Sequence, residues 1–268
     1  MQDISKPLYN LRLLDELAHK DTPLHRLHPM VNLLTTVIFL VVVLSFDRYS
    51  ITGLLPLLIY PILVFTLAEI PVRPILHKLL PVLPIIIGIG VFNPIFDRQT
   101  VEVGTFIIVR GWITFLSIAL KCGLTVTAAL LLIAVTGMNN LAGALRQIRI
   151  PKLFVLQLLL TYRYITVLGE ELAHMQQAYS LRAPGQRGIN WRTWGPFAGQ
   201  LLLRTYDRAL RVYQAMTLRG FTGEYHSGKI RNLRLPDLVY ILSWVSFFIV
   251  ARIYNLPWLI GAWLTGVI

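Results

Sequence analysis

The sequence predicts an all-α polytopic membrane protein with about five to six spans and a cytoplasmic module of long amphipathic helices. Only 14% of its 268 residues are charged, whereas a soluble domain of this size has about a quarter. The apolar residues, 55% of the chain, occur in blocks long enough to cross a bilayer, which takes about 20 residues. The net charge of +12 is concentrated in particular segments, as in the cytoplasmic loops of membrane proteins.

Four apolar blocks come first, at Met30–Phe46, Ile51–Ala68, Leu79–Phe96 and Thr105–Thr136. The first block follows Pro29, which suits the first turn of a helix. Prolines and glycines interrupt the third block, so we expect it to be kinked. The fourth block exceeds one span, so either a tilted helix begins outside the hydrocarbon or a short interfacial helix precedes the span. A last block runs from Leu238 to Tyr254.

The distribution of positive charge along the chain predicts its orientation in the membrane. The breaks Arg73–Lys78 and Arg146–Lys152 are basic, whereas the links Asp47–Tyr49 and Asp97–Gly104 are balanced or acidic. The segment from Arg146 to Arg234 has fourteen Lys and Arg against four Asp and Glu. With a cytoplasmic N-terminus, four spans place all the basic segments inside. We therefore expect four spans within 1–145, a cytoplasmic module over 146–235 and membrane segments over 236–268, where residues 256–268 form either a further span or none.

The basic segment predicts two helical arms. The first extends from Pro151 to Arg182, and no proline follows until Pro184. The second extends from about Pro196 to Arg219, before Gly220. Its predicted charged face comprises Gln200, Arg204, Asp207, Arg208 and Arg211, with Asp207 four residues before Arg211. Its predicted apolar face comprises Leu201, Leu202, Thr205, Ala209, Val212 and Met216.

Both arms end in nearly the same phrase, "QAYSLRAPG" from Gln177 and "QAMTLRGFTG" from Gln214. Each phrase places an arginine at a helix C-terminus, where the helix dipole favours a cation. An alanine lies one turn earlier on the same face, which allows another surface to approach closely. A single arginine of this kind would be expected to cap its own helix. A matched pair instead favours two equivalent sites on a dimeric partner.

These phrases resemble the transmembrane T component of energy-coupling-factor transporters. In that family, two cytoplasmic helices end in Ala-x-x-x-Arg-Gly-type motifs that dock on two ABC-type ATPase subunits. The resemblance places the first motif on Ala178, Arg182 and Ala183, and the second on Ala215, Arg219 and Gly220. Ala183 departs from the usual glycine. Arg187 and Gly188 follow closely, so either Arg182 or Arg187 is the docking arginine of the first arm.

The N-terminal "LDELAHKDTPLHRLHPMVNLL" looks like the cobalt/nickel, CbiQ-type branch, with His28 in place of the usual aspartate. The resemblance implies a non-catalytic coupling subunit in a bacterial inner membrane, without a cofactor or metal of its own. Its partners would be two ATPases, the lipid bilayer and a substrate-binding S component for cobalt or nickel, with no nucleic acid. No Walker A phrase occurs, so we expect the partner subunits to bind ATP.

Several other polar residues permit more than one interpretation. His25 and His28 suggest a metal pair, but we expect an interfacial or capping role because a third ligand is lacking. Lys121 and Arg110 at membrane depth should snorkel or face a protein interface, with a substrate pathway as the alternative. Glu170 is expected to pair with Arg163 or His174 on its own helix.

Two other functions remain open at this level. One is an integral-membrane enzyme acting on a phosphorylated or lipid substrate at the basic cytosolic face, although the acids of that face are scattered. The other is a self-sufficient secondary transporter, which would be expected to have paired broken helices. We expect only the third block to be broken, with no matching partner. Cys122 is the single cysteine, which excludes an intrachain disulfide.

Overall fold

The structure is a computed structural model that describes residues 16–47, 51–92, 100–103, 106–183, 190–223 and 232–253. Its helices are α1 (Pro29–Ser45), α2 (Thr52–Leu67), α3 (Val72–Gly90), α4 (Arg110–Thr136), α5 (Met138–Gln147), α6 (Lys152–Arg182), α7 (Trp194–Leu218) and α8 (Leu235–Ile253). Strands β1 (Thr100–Val103) and β2 (Phe106–Val109) precede α4. The helical fold class predicted from the sequence is confirmed, with this strand pair as a local exception.

Among the described residues, four helices are long and apolar enough to cross a membrane: α3, α4, α6 and α8. Two shorter apolar helices, α1 and α2, accompany them. The first part of α2, Thr52–Leu58, is a 3₁₀ segment that contains Pro56, so the expectation that only the third block is broken is wrong. The protein is therefore a multi-pass membrane protein. The described residues fall into two units, one containing α1 to α4 with α8 and the other containing α5 to α7.

The start of the fourth apolar block differs from both sequence-based alternatives. Residues 106–109 form neither a tilted helix nor an interfacial one, because β2 pairs antiparallel with β1, with Thr100 opposite Val109 and Val103 opposite Phe106. The run Phe-Ile-Ile-Val consists of residues that favour strands. The loop predicted over Asp97–Gly104 is accordingly wrong at residues 100–103, and the helix begins only at Arg110.

The third block also begins earlier than predicted. The basic break Arg73–Lys78 lies within a helix that starts at Val72. A 3₁₀ turn at Leu80–Val82 then interrupts the helix beside Pro81, as expected for a residue that lacks a backbone N–H. The prolines therefore interrupt the regular α-helix at this point, while the predicted kink stays a prediction.

Helices α1 and α8 are pinned together at both ends. At the N-terminal ends, Asp237 accepts hydrogen bonds from the backbone N–H of His28 at 2.9 Å and of Arg234 at 2.8 Å. At the C-terminal ends, the guanidinium of Arg252 donates to the backbone oxygen of Ser45 at 3.2 Å. Because like ends meet, the two helices run parallel.

Aromatic side chains fill the space between these pinned ends. Phe39 of α1 lies 5.5 Å from Phe248 of α8 and 4.6 Å from Tyr60 of α2, measured between ring centroids. Phe39 and Phe248 are both fully buried. Such aromatic pairs contribute about 1 kcal/mol each beyond the area they bury.

Candidate functional site

The two arms predicted from the sequence are present. The first is α6, which starts one residue after Pro151 and ends at Arg182 as predicted. The second is α7, which starts at Trp194, two residues before Pro196, and ends at Leu218. Pro151 has a φ of −52° and a ψ of 134°, outside the helical region, at the N-terminal boundary of α6. Local proline and glycine signals therefore predict the arm boundaries to within two residues.

The end of the second arm is closed by a Schellman motif. The N–H of Phe221 donates to the carbonyl oxygen of Met216, and that of Gly220 donates to Thr217, both at 3.0 Å. Gly220 has a φ of 78°, the left-handed conformation that this motif needs and that glycine adopts without strain. The predicted glycine stop is confirmed.

The end of the first arm has a different geometry. Ala183 adopts φ −124° and ψ 65°, and its N–H donates to the carbonyl oxygen of Tyr179 at 3.0 Å. Its conformation lies outside the left-handed region. The two motifs thus share their side chains but not the backbone that follows them. Arg187, the alternative docking arginine, lies outside the described residues.

The motif side chains face outward. Ala178, Arg182, Ala215 and Arg219 are all exposed, as is Gly220, while Ala183 is half-buried. Within the described part of the chain, neither the Arg182 nor the Arg219 guanidinium contacts a carboxylate or a carbonyl of its own helix. The interpretation that each arginine caps its own helix is therefore not supported.

The sequence interpretation missed the leucines beside these arginines. Leu181 is 77% exposed and Leu218 is 88% exposed, whereas leucine is usually buried. The repeated phrase itself contained the signal, because Leu-Arg occurs in both copies. Each arm therefore ends in an exposed pair of one apolar and one cationic side chain, a combination suited to protein docking.

The predicted faces of the second arm are partly correct. Thr205, Ala209, Val212 and Met216 do face α6 across an apolar groove, but Leu202 of the predicted apolar face is 69% exposed. The Asp207–Arg211 pair suggested by the spacing does not form in the described structure. Instead Arg204 forms an ion pair with Glu171 of the first arm. This pair joins the two arms.

The two N-terminal histidines have structural partners. His25 places Nδ1 2.6 Å from the Thr22 hydroxyl and Nε2 2.9 Å from the Leu17 carbonyl oxygen, and burial lowers its pKa. His28 caps α1, because its Nδ1 accepts from the N–H of Met30 at 3.1 Å. Among the residues that the structure describes, no group of three His, Cys, Asp or Glu side chains is placed to hold a metal.

Lys121 faces protein, in agreement with the interface interpretation. Its ammonium group donates to the backbone oxygens of Phe46 at 2.6 Å and Asp47 at 3.3 Å. These carbonyls follow the last turn of α1, which has no basic residue of its own. Cations at a helix C-terminus are stabilising. Lys121 thus joins α4 to the end of α1.

Comparison with known proteins identifies the family to which most of this chain belongs. The model of the family CbiQ, cobalt transport protein, matches residues 20–230, which include both arms and their motifs. The chain belongs to this family. The resemblance to the T component of energy-coupling-factor transporters, cobalt/nickel branch, is thereby confirmed, and the chain is a membrane component of a transporter.

Three similar proteins are also named as components of transporters. The chain is 28% identical over 150 residues to the nickel permease LarQ of Lactiplantibacillus plantarum, a match that covers 53% of the chain and 55% of that protein. It is 23% identical over 245 residues to the energy-coupling factor transporter transmembrane protein EcfT of Ruminiclostridium cellulolyticum, covering 83% and 88%. It is 34% identical over 86 residues to the cobalt transport protein CbiQ of Rhodobacter capsulatus, covering 32% and 35%. The first of these matches spans about half of the relative's length.

Proposed function

We propose that this chain is the coupling subunit of an energy-coupling-factor importer for cobalt or nickel ions. It transmits ATP-driven motion of two ATPase subunits to a substrate-binding S component in the same membrane. The observation that carries the proposal is the pair of exposed Leu-Arg tips, Leu181–Arg182 and Leu218–Arg219, which end two helices and lack partners within the described chain. The family membership and the names of the relatives support it.

The chemistry of the tips fits a groove on an ATPase subunit. An arginine fork pairs bidentately with a carboxylate, and an adjacent leucine supplies apolar area that water leaves on docking. Ala178 and Ala215 lie one turn back on the arginine face, where a larger side chain would hold the partner away. Two similar tips suit two copies or two homologues of one ATPase.

Coupling requires that motion at the tips reaches the rest of each arm. The ion pair between Arg204 and Glu171 links the arms away from their tips. Helix α6 is 31 residues long and continuous, so at about 1.5 Å per residue it extends some 45 Å. A rigid lever of this length carries a displacement at Arg182 toward its apolar first half.

The test is copurification from membranes that contain the chain, its ATPases and its S component. We expect Arg182→Glu combined with Arg219→Glu to release the ATPases, because an arginine at the centre of an interface contributes about 2 kcal/mol or more, which is about thirtyfold in affinity. The matched control is Arg163→Glu combined with Arg192→Glu, which makes the same charge change at two exposed arginines away from the tips.

Uptake of cobalt and of nickel is measured in the cells from which these membranes are prepared. Loss of ATPase association and of uptake in the tip variant, with both retained in the control, supports the proposal. Full ATPase association in the tip variant refutes docking through these arginines. An activity on a phosphorylated or lipid substrate that survives without the ATPases would instead favour an enzyme.

A further inference from the structure

Two concave surfaces adjoin each other where α6 and α7 meet. One is a polar pocket of about 270 Å³ lined by Leu168, Glu171, Arg204, Thr205, Asp207, Arg208 and Arg211. The other is an apolar groove of about 490 Å³, lined mainly by Leu153, Leu156, Leu160, Ala209, Val212 and Met216. Both volumes are of the order found for small-molecule sites, about 300–1,000 Å³.

The polar pocket has a net charge of +1 once both of its carboxylates, Glu171 and Asp207, are counted. Three arginines and two carboxylates line it, and one arginine, Arg204, is neutralised by Glu171. Arg208 and Arg211 lie three residues apart on one face of α7, and within the described residues neither forms an ion pair. Two guanidinium groups on adjacent turns match the oxygens of a phosphate, which they bind as forks.

The pocket and the groove form one continuous surface. Leu168, Thr205 and Arg208 line both of them. A free anion would leave the apolar groove in contact with water. A purely apolar segment would leave the net positive charge of Arg208, Arg211 and Asp207 without a counter-ion. A molecule with a phosphate at one end and hydrocarbon at the other would place its phosphate in the polar pocket and its hydrocarbon in the apolar groove. The combination favours a phospholipid.

The hydrocarbon half of the site is on a helix suited to lipid. Helix α6 includes a window with mean hydropathy 1.3, apolar enough to cross a membrane. Leu153, which lines the groove, is 71% exposed, and its neighbour Phe154 is 69% exposed. We expect bilayer hydrocarbon to cover the exposed apolar side chains at the start of this helix, which would give a lipid access to the groove from the membrane.

We infer that the junction of the two arms binds one anionic phospholipid, with its phosphate on Arg208 and Arg211 and its acyl chains in the apolar groove. Gln157 and Tyr164 at the groove supply further polar groups for the glycerol backbone. The groove reaches the tip of the second arm, because Met216, Phe221 and Gly223 line it. The proposed phosphate site at Arg208 and Arg211 lies about two to three helical turns before Arg219. Basic pockets between membrane helices are known to take such headgroups.

The test uses the purified full chain stripped of lipid and native mass spectrometry with dioleoylphosphatidylglycerol. We expect one retained lipid per chain, and weaker retention of the zwitterionic dioleoylphosphatidylcholine. Arg208→Gln and Arg211→Gln should each weaken retention about fivefold, and together ~25-fold. Arg192→Gln, at an exposed arginine outside both surfaces, should leave retention unchanged.

A second variant blocks the hydrocarbon half without altering charge. Ala209→Trp places an indole in the groove and should abolish retention, whereas Ala198→Trp, elsewhere on α7, should not. Three results would overturn the inference: equal retention of the two lipids, inorganic phosphate displacing the lipid at millimolar concentration, or normal retention in Ala209→Trp. Loss of a copurifying membrane protein from Ala209→Trp, with lipid retained, would identify the groove as a protein interface instead.

Discussion

Asp237 offers its two carboxylate oxygens to the N-termini of two helices, so its replacement tests whether one side chain holds α1 and α8 together. It is 2% exposed. One oxygen accepts from the N–H of His28, just before α1, and the other from the N–H of Arg234, just before α8. The second bond is half of a capping box, in which the third helical residue reaches back to the N-cap.

The cost of each substitution follows from the bonds that it removes. Asp237→Asn keeps one acceptor oxygen but turns an amide NH₂ toward a backbone donor, so it loses one charge-assisted bond, about 1.5–3 kcal/mol. Asp237→Ala leaves both backbone N–H groups without an acceptor and removes a carboxylate from two positive helix ends. Its cost should be greater, about 4 kcal/mol.

Thermal or denaturant-induced unfolding of the detergent-solubilised chain measures these differences. Asp207→Asn serves as the control, because Asp207 is exposed and its replacement should change stability by less than about 0.5 kcal/mol. The expected order of stability is native, then Asp237→Asn, then Asp237→Ala. If Asp237→Ala were as stable as the native chain, or no less stable than Asp237→Asn, the double-acceptor role would be refuted.

Three further outcomes are expected from unfolding measurements. Lys121→Met should cost about 1–2 kcal/mol by removing the donor to the end of α1, whereas Cys122→Ala should have little effect; equal losses would refute the capping role. Burial lowers the pKa of His25 below 6.5, so the unfolded chain binds the proton more readily, and stability should be complete above pH 6.5 and fall below it. A His25→Gln variant with an unchanged acid response would contradict this. Gly220→Ala should lower the free energy of unfolding by about 1 kcal/mol. The cause is the φ of 78° alone, since no atom lies within 4 Å of the added methyl group. Gly199→Ala, in the interior of α7, should leave the free energy of unfolding unchanged or raise it.

Local sequence signals predicted the arms because helix boundaries depend on neighbouring residues. Pro151 and Gly220 each mark a boundary through the backbone angles that they require or permit. The strand β2 was missed because the apolar run from Thr105 is compatible with a helix or a strand, and pairing with β1 decided between them. Hydrophobicity alone does not distinguish these two states in short segments.

The contacts that pin the membrane helices could not be predicted in the same way. Asp237 and His28 are 209 residues apart in the chain, and Lys121 is 75 residues from Phe46. The sequence "RLPD" before the last block does contain a capping signal, proline in the first turn followed by an acid. That signal predicts the bond to Arg234, but only the folded arrangement of α1 beside α8 brings the second helix N-terminus to the same carboxylate.

The two copies of the repeated phrase at the arm tips have similar side chains but different backbone conformations. Arg182 and Arg219 follow the same pattern of leucine and alanine, so the partner surfaces that they suit are alike. The backbone diverges at the next residue, where Gly220 turns left-handed and Ala183 does not. If a common backbone turn were needed for docking, both positions would need glycine. If the tips dock as proposed, the exposed face of each last turn should carry the docking contacts, and Gly220 sets the direction in which the chain leaves the second arm.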